Sequence, residues 1–130
     1  MKISRSVSYA LVAVGYVAEN GEDGPVLAAR VSKEYGIPLE YLLKIMQQLV
    51  RANVLKSKRG PRGGFSLAHS AKDISMLQII EAVSGPLMDQ LFLAEQTHSA
   101  GFSLKMESAC KEAIEKATEI YDKAKISDMI

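Results

Sequence analysis

A run of cations and glycines at residues 56–64 carries the clearest binding chemistry in the sequence. It reads KSKRGPRGG, and apolar positions at Val54, Leu55 and Phe65 flank it on both sides. Two short apolar runs joined by a glycine-rich turn predict a β-hairpin, here with a cationic tip. Arg59 stands stiffly beside Gly60-Pro61 and suits a narrow minor groove of DNA. The other cations of the run suit phosphate neutralisation, namely Lys56, Lys58 and Arg62.

The segment before this hairpin predicts a helix with one buried face and one polar face. Its apolar residues recur at helical spacing, at Leu42, Ile45, Met46 and Leu49. A recognition helix reads bases with exposed residues near its N-terminus. Here Lys44 can donate to guanine, Glu40 can accept from cytosine, and Leu43 can contact a thymine methyl group. Tyr41 and Gln48 are better placed for phosphates.

Two helices earlier in the sequence are predicted to position the recognition helix and the hairpin. The first is predicted over residues 5–19, with Ser4 as its N-cap, and the second over residues 27–35, ended by Gly36. Leu27, Val31 and Tyr35 fall on one stripe of the second helix and are expected to be buried. Two short helices before a recognition helix form a helix-turn-helix, and the basic hairpin makes it a winged helix. Asn53 is expected to end the recognition helix in a left-handed conformation.

The second half of the chain predicts two more helices. Ser75 and Gln78 form a capping-box pattern, with Leu77, Ile80 and Val83 as the expected buried face. A long helix over residues 103–125 carries an apolar seam at Met106, Cys110, Ile114, Ala117, Tyr121 and Ala124. So long a helix at the end of a small domain favours a homodimer, although the seam could also pack on its own domain.

These elements predict a mainly α fold with one small β-hairpin. Residues 1–85 would form the winged helix-turn-helix domain, 86–102 a loop region, and 103–130 the C-terminal dimerisation helix and tail. No combination of nucleophile and base, metal-ligand cluster or phosphate-binding loop points to an enzyme.

The net charge of +1 hides a strong asymmetry along the 130-residue chain. Residues 1–68 hold ten Lys/Arg against five Asp/Glu, whereas residues 69–130 hold six against ten. A basic front half with clustered cations indicates a polyanionic partner. One cysteine, Cys110, leaves no internal disulfide and favours a reducing, cytoplasmic location. The N-terminal apolar residues follow helical periodicity, so we interpret them as a helix and not as a signal peptide.

The sequence resembles the Rrf-two family of bacterial winged-helix regulators. The resemblance rests on Tyr9-Ala10-Leu11, on Tyr41-Leu42, on RGPRGGFSLA at 59–68, on ISMLQIIEAV at 74–83 and on ISDMI at 126–130. It implies a homodimer that binds palindromic promoter DNA. It also implies base reading by Glu40, Leu43 and Lys44, minor-groove insertion by Arg59, and backbone contacts from Arg5, Tyr9, Tyr41 and Ser57.

The sequence departs from this family where many members hold an iron–sulfur cluster. Those members carry three cysteines between the fourth helix and the long helix, and only Cys110 remains here. Clusters generally need four protein ligands, so Cys110 with His98 from each subunit offers a poor set. We therefore expect no metal and no cofactor, with control by a regulatory protein or a small-molecule effector. Pro38 also stands where the family often has a small polar residue, which predicts the loss of a helix-cap contact. Leu43 replaces a polar base reader common in cluster-binding members, which predicts a different operator.

Two functions of different classes remain open at this point. The first is a dimeric transcriptional regulator, with repression favoured. The second is a protein-interaction module that uses the winged helix as a docking surface without DNA. Cations on both the hairpin and the recognition helix favour the first.

Overall fold

The chain begins with three helices around a shared apolar core and continues into a two-stranded hairpin. A computed structural model describes residues 3–87 and 91–130. The helices are α1 (Arg5–Asn20), α2 (Ala28–Tyr35) and α3 (Leu39–Arg51), followed by strands β1 (Leu55–Lys58) and β2 (Gly64–Leu67). Three further helices complete the fold, namely α4 (Met76–Ser84), α5 (Leu93–Gln96) and α6 (Gly101–Lys123). This mainly helical winged helix-turn-helix with a long C-terminal helix confirms the predicted fold class.

Four predicted helix ends form at the expected residues, whereas α6 begins and ends two residues before its predicted bounds of 103–125. The side chain of Ser4 accepts the N–H of Val7 at 3.2 Å and caps α1. Gly36 and Asn53 follow α2 and α3 with φ values of 65° and 61°. Both residue types tolerate this left-handed conformation better than most. Ser75 and the side chain of Gln78 form the predicted capping box at the start of α4.

Two predicted buried faces are wrong in detail. Val31 is fully buried on α2, but Leu27 and Tyr35 are 53% and 54% exposed. The eight-residue α2 turns only Ala28 and Val31 into the core, and the Tyr35 ring meets Tyr16 edge-on near the surface, at 5.9 Å. On α4, Ile79 and Ile80 are the buried pair, while Leu77 and Val83 are half-buried.

Backbone hydrogen bonds join the wing to the helix-turn-helix. The wing is the hairpin of β1, β2 and residues 59–63. Leu55 pairs with Leu67 and Lys58 with Gly64 in its antiparallel register. Val26, just before α2, exchanges two hydrogen bonds with Phe65, each 2.8 Å long. The Phe65 side chain is buried in the core. The wing is thus attached to the helices by both backbone and side-chain contacts.

A similar backbone contact fixes the end of the chain. The N–H of Met76 donates to Ala124 and the N–H of Ile126 donates to Ile74, both at 2.9 Å. The Ile126 side chain is 4% exposed and belongs to the same core as α1 and α3. The C-terminal end of α6 therefore returns to the winged helix. Within residues 3–87 and 91–130, no helix is long and apolar enough to cross a membrane.

We predict that Gly64→Ala destabilises the protein and loosens the wing. Gly64 has φ +142°, and a Cβ atom there would lie 2.6 Å from the carbonyl oxygen of Val26. A side chain in so strained a backbone conformation costs about 1–3 kcal/mol, and the contact with Val26 adds to this. Chemical denaturation should report the lower free energy of unfolding.

Gly21→Ala is the matched control for this substitution. A Cβ atom at Gly21 meets nothing within 4 Å, and the backbone there has an ordinary φ of −85°. Its free energy of unfolding should stay near that of the unaltered protein. Equal stability of the two variants would contradict the role given to Gly64.

Candidate nucleic-acid interface

The outer face of α3 presents one polar row to solvent. Glu40 and Lys44 are exposed, and so are Gln47 and Arg51 farther along the helix. Their spacings of four, three and four residues keep them on one face. Leu43, at 38% exposure, borders this row. The three predicted base-reading residues thus share one exposed surface, while Leu42, Ile45, Met46 and Leu49 hold the opposite face in the core.

The start of α1 lies against the start of α3. The Ser6 hydroxyl is hydrogen-bonded to the Tyr41 hydroxyl. The rings of Tyr9 and Tyr41 meet edge-on, with centroids 5.6 Å apart and planes at 83°. Arg5, also predicted to contact the DNA backbone, is exposed in the first turn of α1. Contacts between α1 and α3 thus bring Tyr9 and Tyr41 together.

An open groove of about 490 Å³ follows this edge of α3. Six of its eight lining residues carry hydrogen-bonding side chains, namely Ser6, Tyr41, Lys44, Gln47, Gln48 and Arg51. Such donors match the acceptor oxygens of a nucleic-acid backbone and of base edges. The groove therefore combines predicted readers with predicted phosphate contacts along one helix.

The wing presents its predicted contacts to solvent. Lys56, Ser57, Lys58, Arg59 and Arg62 are all exposed. The N–H of Gly63 donates to the carbonyl of Gly60 at 2.9 Å and closes the tip. A Cβ atom at Gly63 would lie 2.3 Å from the carbonyl oxygen of Lys58, so only glycine fits this turn. The tight tip holds the Arg59 backbone beside the turn, as the sequence predicted.

A second groove, of about 420 Å³, separates the wing from the segment before α2. Lys58 and Arg62 line it together with Arg30 and Asp23. The guanidinium of Arg30 lies over the Tyr16 ring, 5.7 Å from its centroid, and donates to the Tyr16 hydroxyl at 3.3 Å. The wing cations and the polar row of α3 thus border different grooves.

Sequence reasoning missed Ser6, Gln47 and Arg51 as residues that line this groove. Gln47 and Arg51 lie three and seven residues after Lys44, so helical periodicity alone could have found them. The sequence-based prediction assigns base reading only to the first two turns of the helix. Ser6 carried no sequence signal, because its contact with Tyr41 spans 35 residues.

Side-chain hydrogen bonds connect the described part of the loop region predicted over 86–102 to α6. Glu107 accepts the backbone N–H of Ala94 at 2.8 Å, from α6 to α5. Thr97 donates to Ser103 at 2.7 Å, and Ser103 is fully buried. Met88 and Gln90, also in this loop, lie outside the described residues.

The donor set of this region does not fit an iron–sulfur cluster. Clusters are held mainly by cysteine thiolates, usually four of them. Cys110 is half-buried on α6 and is the single cysteine of the sequence. Among the described residues, no group of three or more His, Cys, Asp or Glu side chains could hold a metal ion. His98 is exposed, and Glu107 already binds the backbone of Ala94.

Comparison with known proteins identifies relatives along nearly the whole chain. The profile of the Rrf2 family, described as an iron-dependent transcriptional regulator, matches residues 3–130. The transcriptional regulator IscR of Photobacterium profundum is 39% identical over 83 residues, which cover 64% of this chain and 48% of the relative. IscR of Klebsiella pneumoniae is 37% identical over 83 residues, covering 64% of this chain and 51% of the relative. The matched segments thus span about half the length of these curated relatives.

Solved structures share the fold over almost the full chain. IscR of T. potens superposes with a TM-score of 0.79 at 25% identity, covering 99% of this chain and 85% of the other. CymR, the global cysteine regulator of B. subtilis, superposes with a TM-score of 0.76 at 23% identity, covering 99% of this chain and 95% of the other. The likeness to CymR concerns the fold alone. The relatives compared above are transcriptional regulators and not enzymes. Together with the profile match over residues 3–130, these comparisons show that the chain belongs to the Rrf2 family of DNA-binding transcriptional regulators.

Proposed function

We propose that this protein is a homodimeric repressor that binds a palindromic operator in the bacterial cytoplasm without an iron–sulfur cluster. The observation that carries the proposal is the polar row on α3, exposed beside a wing with four cations. Base edges in the major groove are read by such a row, and phosphates are neutralised by such a wing. Repression is the proposed sign because a protein bound over a promoter excludes RNA polymerase without any further contact.

Glu40, Leu43 and Lys44 are the proposed base readers. All three are exposed in the first two turns of α3, where a recognition helix meets base edges. Gln47 extends this row by one turn and can pair with adenine. Tyr41 and Gln48 flank the row and are proposed to contact phosphates, as are Arg5 and Tyr9 on α1.

The wing is proposed to contact the adjacent minor groove and its phosphates. Arg59 is exposed at the tip, where an arginine can enter the negative potential of a narrow minor groove. Lys56, Ser57, Lys58 and Arg62 would contact the flanking backbone. These contacts give affinity, whereas the α3 row gives sequence preference.

Selection of DNA fragments by the purified protein tests this function directly. We expect enrichment of fragments that contain an inverted repeat, and binding that weakens as salt concentration rises. Protein purified without oxygen should bind them while it is colourless and contains no iron or sulfide. No enrichment would overturn the proposal and favour the protein-interaction module. A brown protein that loses DNA binding when its iron is removed would overturn the cluster-free part alone.

Lys44→Ala and Lys58→Ala should separate base reading from phosphate contact. Lys44→Ala should relax the preference at one position of each half-site, with a loss of discrimination of about 1–3 kcal/mol. Lys58→Ala should weaken all sequences alike and lower the slope of log affinity against log salt by about one unit per half-site. Binding titrations on operator variants at several salt concentrations measure both effects. Uniform weakening by Lys44→Ala would mean that the register assigned to α3 is wrong.

The surface of α6 supports a homodimer. Ser103 is the one fully buried residue among the 23 of this helix. The proposed seam residues Cys110, Ile114, Ala117, Tyr121 and Ala124 are half-buried in the single chain, where α6 packs on α4 and α5. Met106 of this seam remains 53% exposed. Much of the predicted seam is thus partly covered within the subunit.

A second apolar row on α6 is mostly exposed in the single subunit. Phe102 and Ile120 are 61% and 66% exposed, and they share a face with Met106 and with the exposed Ala109 and Ala113. The spacings of four, three, four and seven residues follow a heptad pattern. We propose that this second row forms the centre of the dimer contact. Met106 belongs both to this row and to the predicted seam.

Ion pairs border this apolar row. Lys116 lies 3.8 Å from Glu112, and Lys123 donates to Glu119 at 2.9 Å. The hydrogen bond between Glu119 and Lys123 lowers the pKa of the carboxyl group and raises the pKa of the amine. An apolar centre with a charged border is typical of helix–helix interfaces.

Ile120→Asp should dissociate the dimer. The substitution puts a charge into the proposed contact, where an unpaired buried charge costs several kcal/mol. Operator affinity should fall with it, because two half-sites are no longer bound together. Ile120 is a sharper choice than Ile114 or Tyr121, since those side chains are half-buried in the subunit and their replacement also affects folding. Sedimentation velocity measures the effect.

Glu115→Lys is the matched control on the same helix. Glu115 is exposed and lies on the side of α6 away from the apolar row. This charge change should leave the sedimentation coefficient unchanged. A monomeric unaltered protein, or equal dissociation in both variants, would contradict the proposed contact.

The hydrogen bonds between the α5 region and α6 support a regulator in which these side chains take part in contacts within the protein. The Glu107–Ala94 and Thr97–Ser103 hydrogen bonds hold the segment that carries ligands in cluster-binding members. We propose that the signal comes instead from a small-molecule effector or a partner protein.

A further inference from the structure

The contact between the first turn of α1 and the first turn of α3 points to a residue with an indirect role in DNA binding. Ser6 reaches across 35 residues of sequence to the hydroxyl of Tyr41, and Tyr9 packs against the ring of the same tyrosine. The phenol of Tyr41 is therefore held at two points, one polar and one aromatic. Its side chain is still 40% exposed and borders the groove along α3.

The hydrogen-bonding capacity of the two hydroxyl groups decides which one donates when DNA is bound. A phenol has one O–H donor, and its oxygen also accepts. A phosphate oxygen only accepts, so the Tyr41 O–H must point at the phosphate. The bond between the two hydroxyls then survives only if Ser6 donates to the Tyr41 oxygen.

We propose that Ser6 is a positioning residue that donates to the Tyr41 oxygen and so directs the Tyr41 O–H to a phosphate of the DNA backbone. This inference rests on the proposed function as a DNA-binding regulator. Ser6 fixes the rotation of the phenol O–H, and Tyr9 fixes the plane of the ring. A hydroxyl that accepts one hydrogen bond also becomes a better donor in the next, which strengthens the contact with the phosphate.

This arrangement has a consequence for specificity. Phosphate contacts carry no direct sequence information, so the Ser6–Tyr41 pair should add affinity on every DNA sequence. Ser6 therefore acts through Tyr41 and makes no DNA contact of its own.

A double-mutant cycle on the selected operator tests the proposal. Ser6→Ala and Tyr41→Phe should each weaken binding by roughly fivefold per half-site, the usual scale for one hydrogen bond. The double variant should bind like Tyr41→Phe alone, because Ser6 has no function once the phenol oxygen is gone. Ser6→Thr keeps the hydroxyl and should bind like the unaltered protein. The loss in Ser6→Ala should be equal on operator and non-operator DNA.

Thermal unfolding separates this role from a structural one. Alanine is a good helix former, so Ser6→Ala should leave the melting temperature almost unchanged. Tyr9→Leu and Tyr9→Phe serve as a second pair of probes. Tyr9→Phe removes only the Tyr9 hydroxyl, whereas Tyr9→Leu also removes the ring that packs on Tyr41, so Tyr9→Leu should weaken binding more than Tyr9→Phe.

Three outcomes would overturn the inference. Full affinity in Ser6→Ala would show that the serine is not needed. An equal loss from Ser6→Ala in the Tyr41→Phe background would show that it acts independently of Tyr41. Failure of the unaltered protein to bind any DNA would overturn the proposed function and this inference with it. The first two outcomes differ from this one, because in them the unaltered protein still binds DNA.

Discussion

Two hydrogen bonds between Val26 and Phe65 hold the candidate DNA-binding surface together. They join the segment before α2 to the wing and make the helix-turn-helix and the hairpin one body. The bonds require a very close approach of two backbones, and Gly64 permits it because any Cβ atom there would meet the carbonyl of Val26. The position of the wing relative to α3 is therefore fixed by backbone contacts. A surface fixed in this way loses little conformational entropy when it binds a rigid duplex.

The same principle governs the other end of the molecule. Backbone bonds of Ile74 and Met76 hold the segment after α6, and the buried Ile126 anchors it in the core. The start of α6 is held by the Thr97–Ser103 bond. A long helix fixed at both ends can expose an apolar row without collapsing onto its own domain. An exposed apolar row of this kind is typical of an association surface, and it supports the proposed homodimer.

The sequence predicted those features that depend on local chemistry. Ser4, Gly36, Asn53 and Ser75 end or begin helices as expected, because caps depend on residues within one turn. The wing could also be predicted locally, because its cations and glycines are neighbours in the sequence. Burial was harder to predict, as Leu27 and Tyr35 show, since periodicity cannot tell how many turns of a short helix reach the core.

Long-range contacts were outside the reach of a single sequence. Nothing near Ser6 indicates that it meets Tyr41, and nothing near Val26 indicates that it pairs with Phe65. The helix α5 was also missed, because four residues are too few to show a period and the Glu107 side chain that bonds to its Ala94 comes from another element.

The charge asymmetry of the chain favours one orientation of the molecule toward a polyanion. Residues 1–68, which hold the polar row of α3 and the wing, carry the excess of cations, whereas residues 69–130 carry the excess of carboxylates. A polyanion is attracted to the first surface and repelled by the second, so the field favours the orientation in which α3 faces the duplex. The acidic half contains α6, and its carboxylates border the apolar row and not the grooves beside α3. The proposed dimer contact and the proposed DNA contacts therefore lie on different surfaces of opposite charge, so that one can form without obstructing the other.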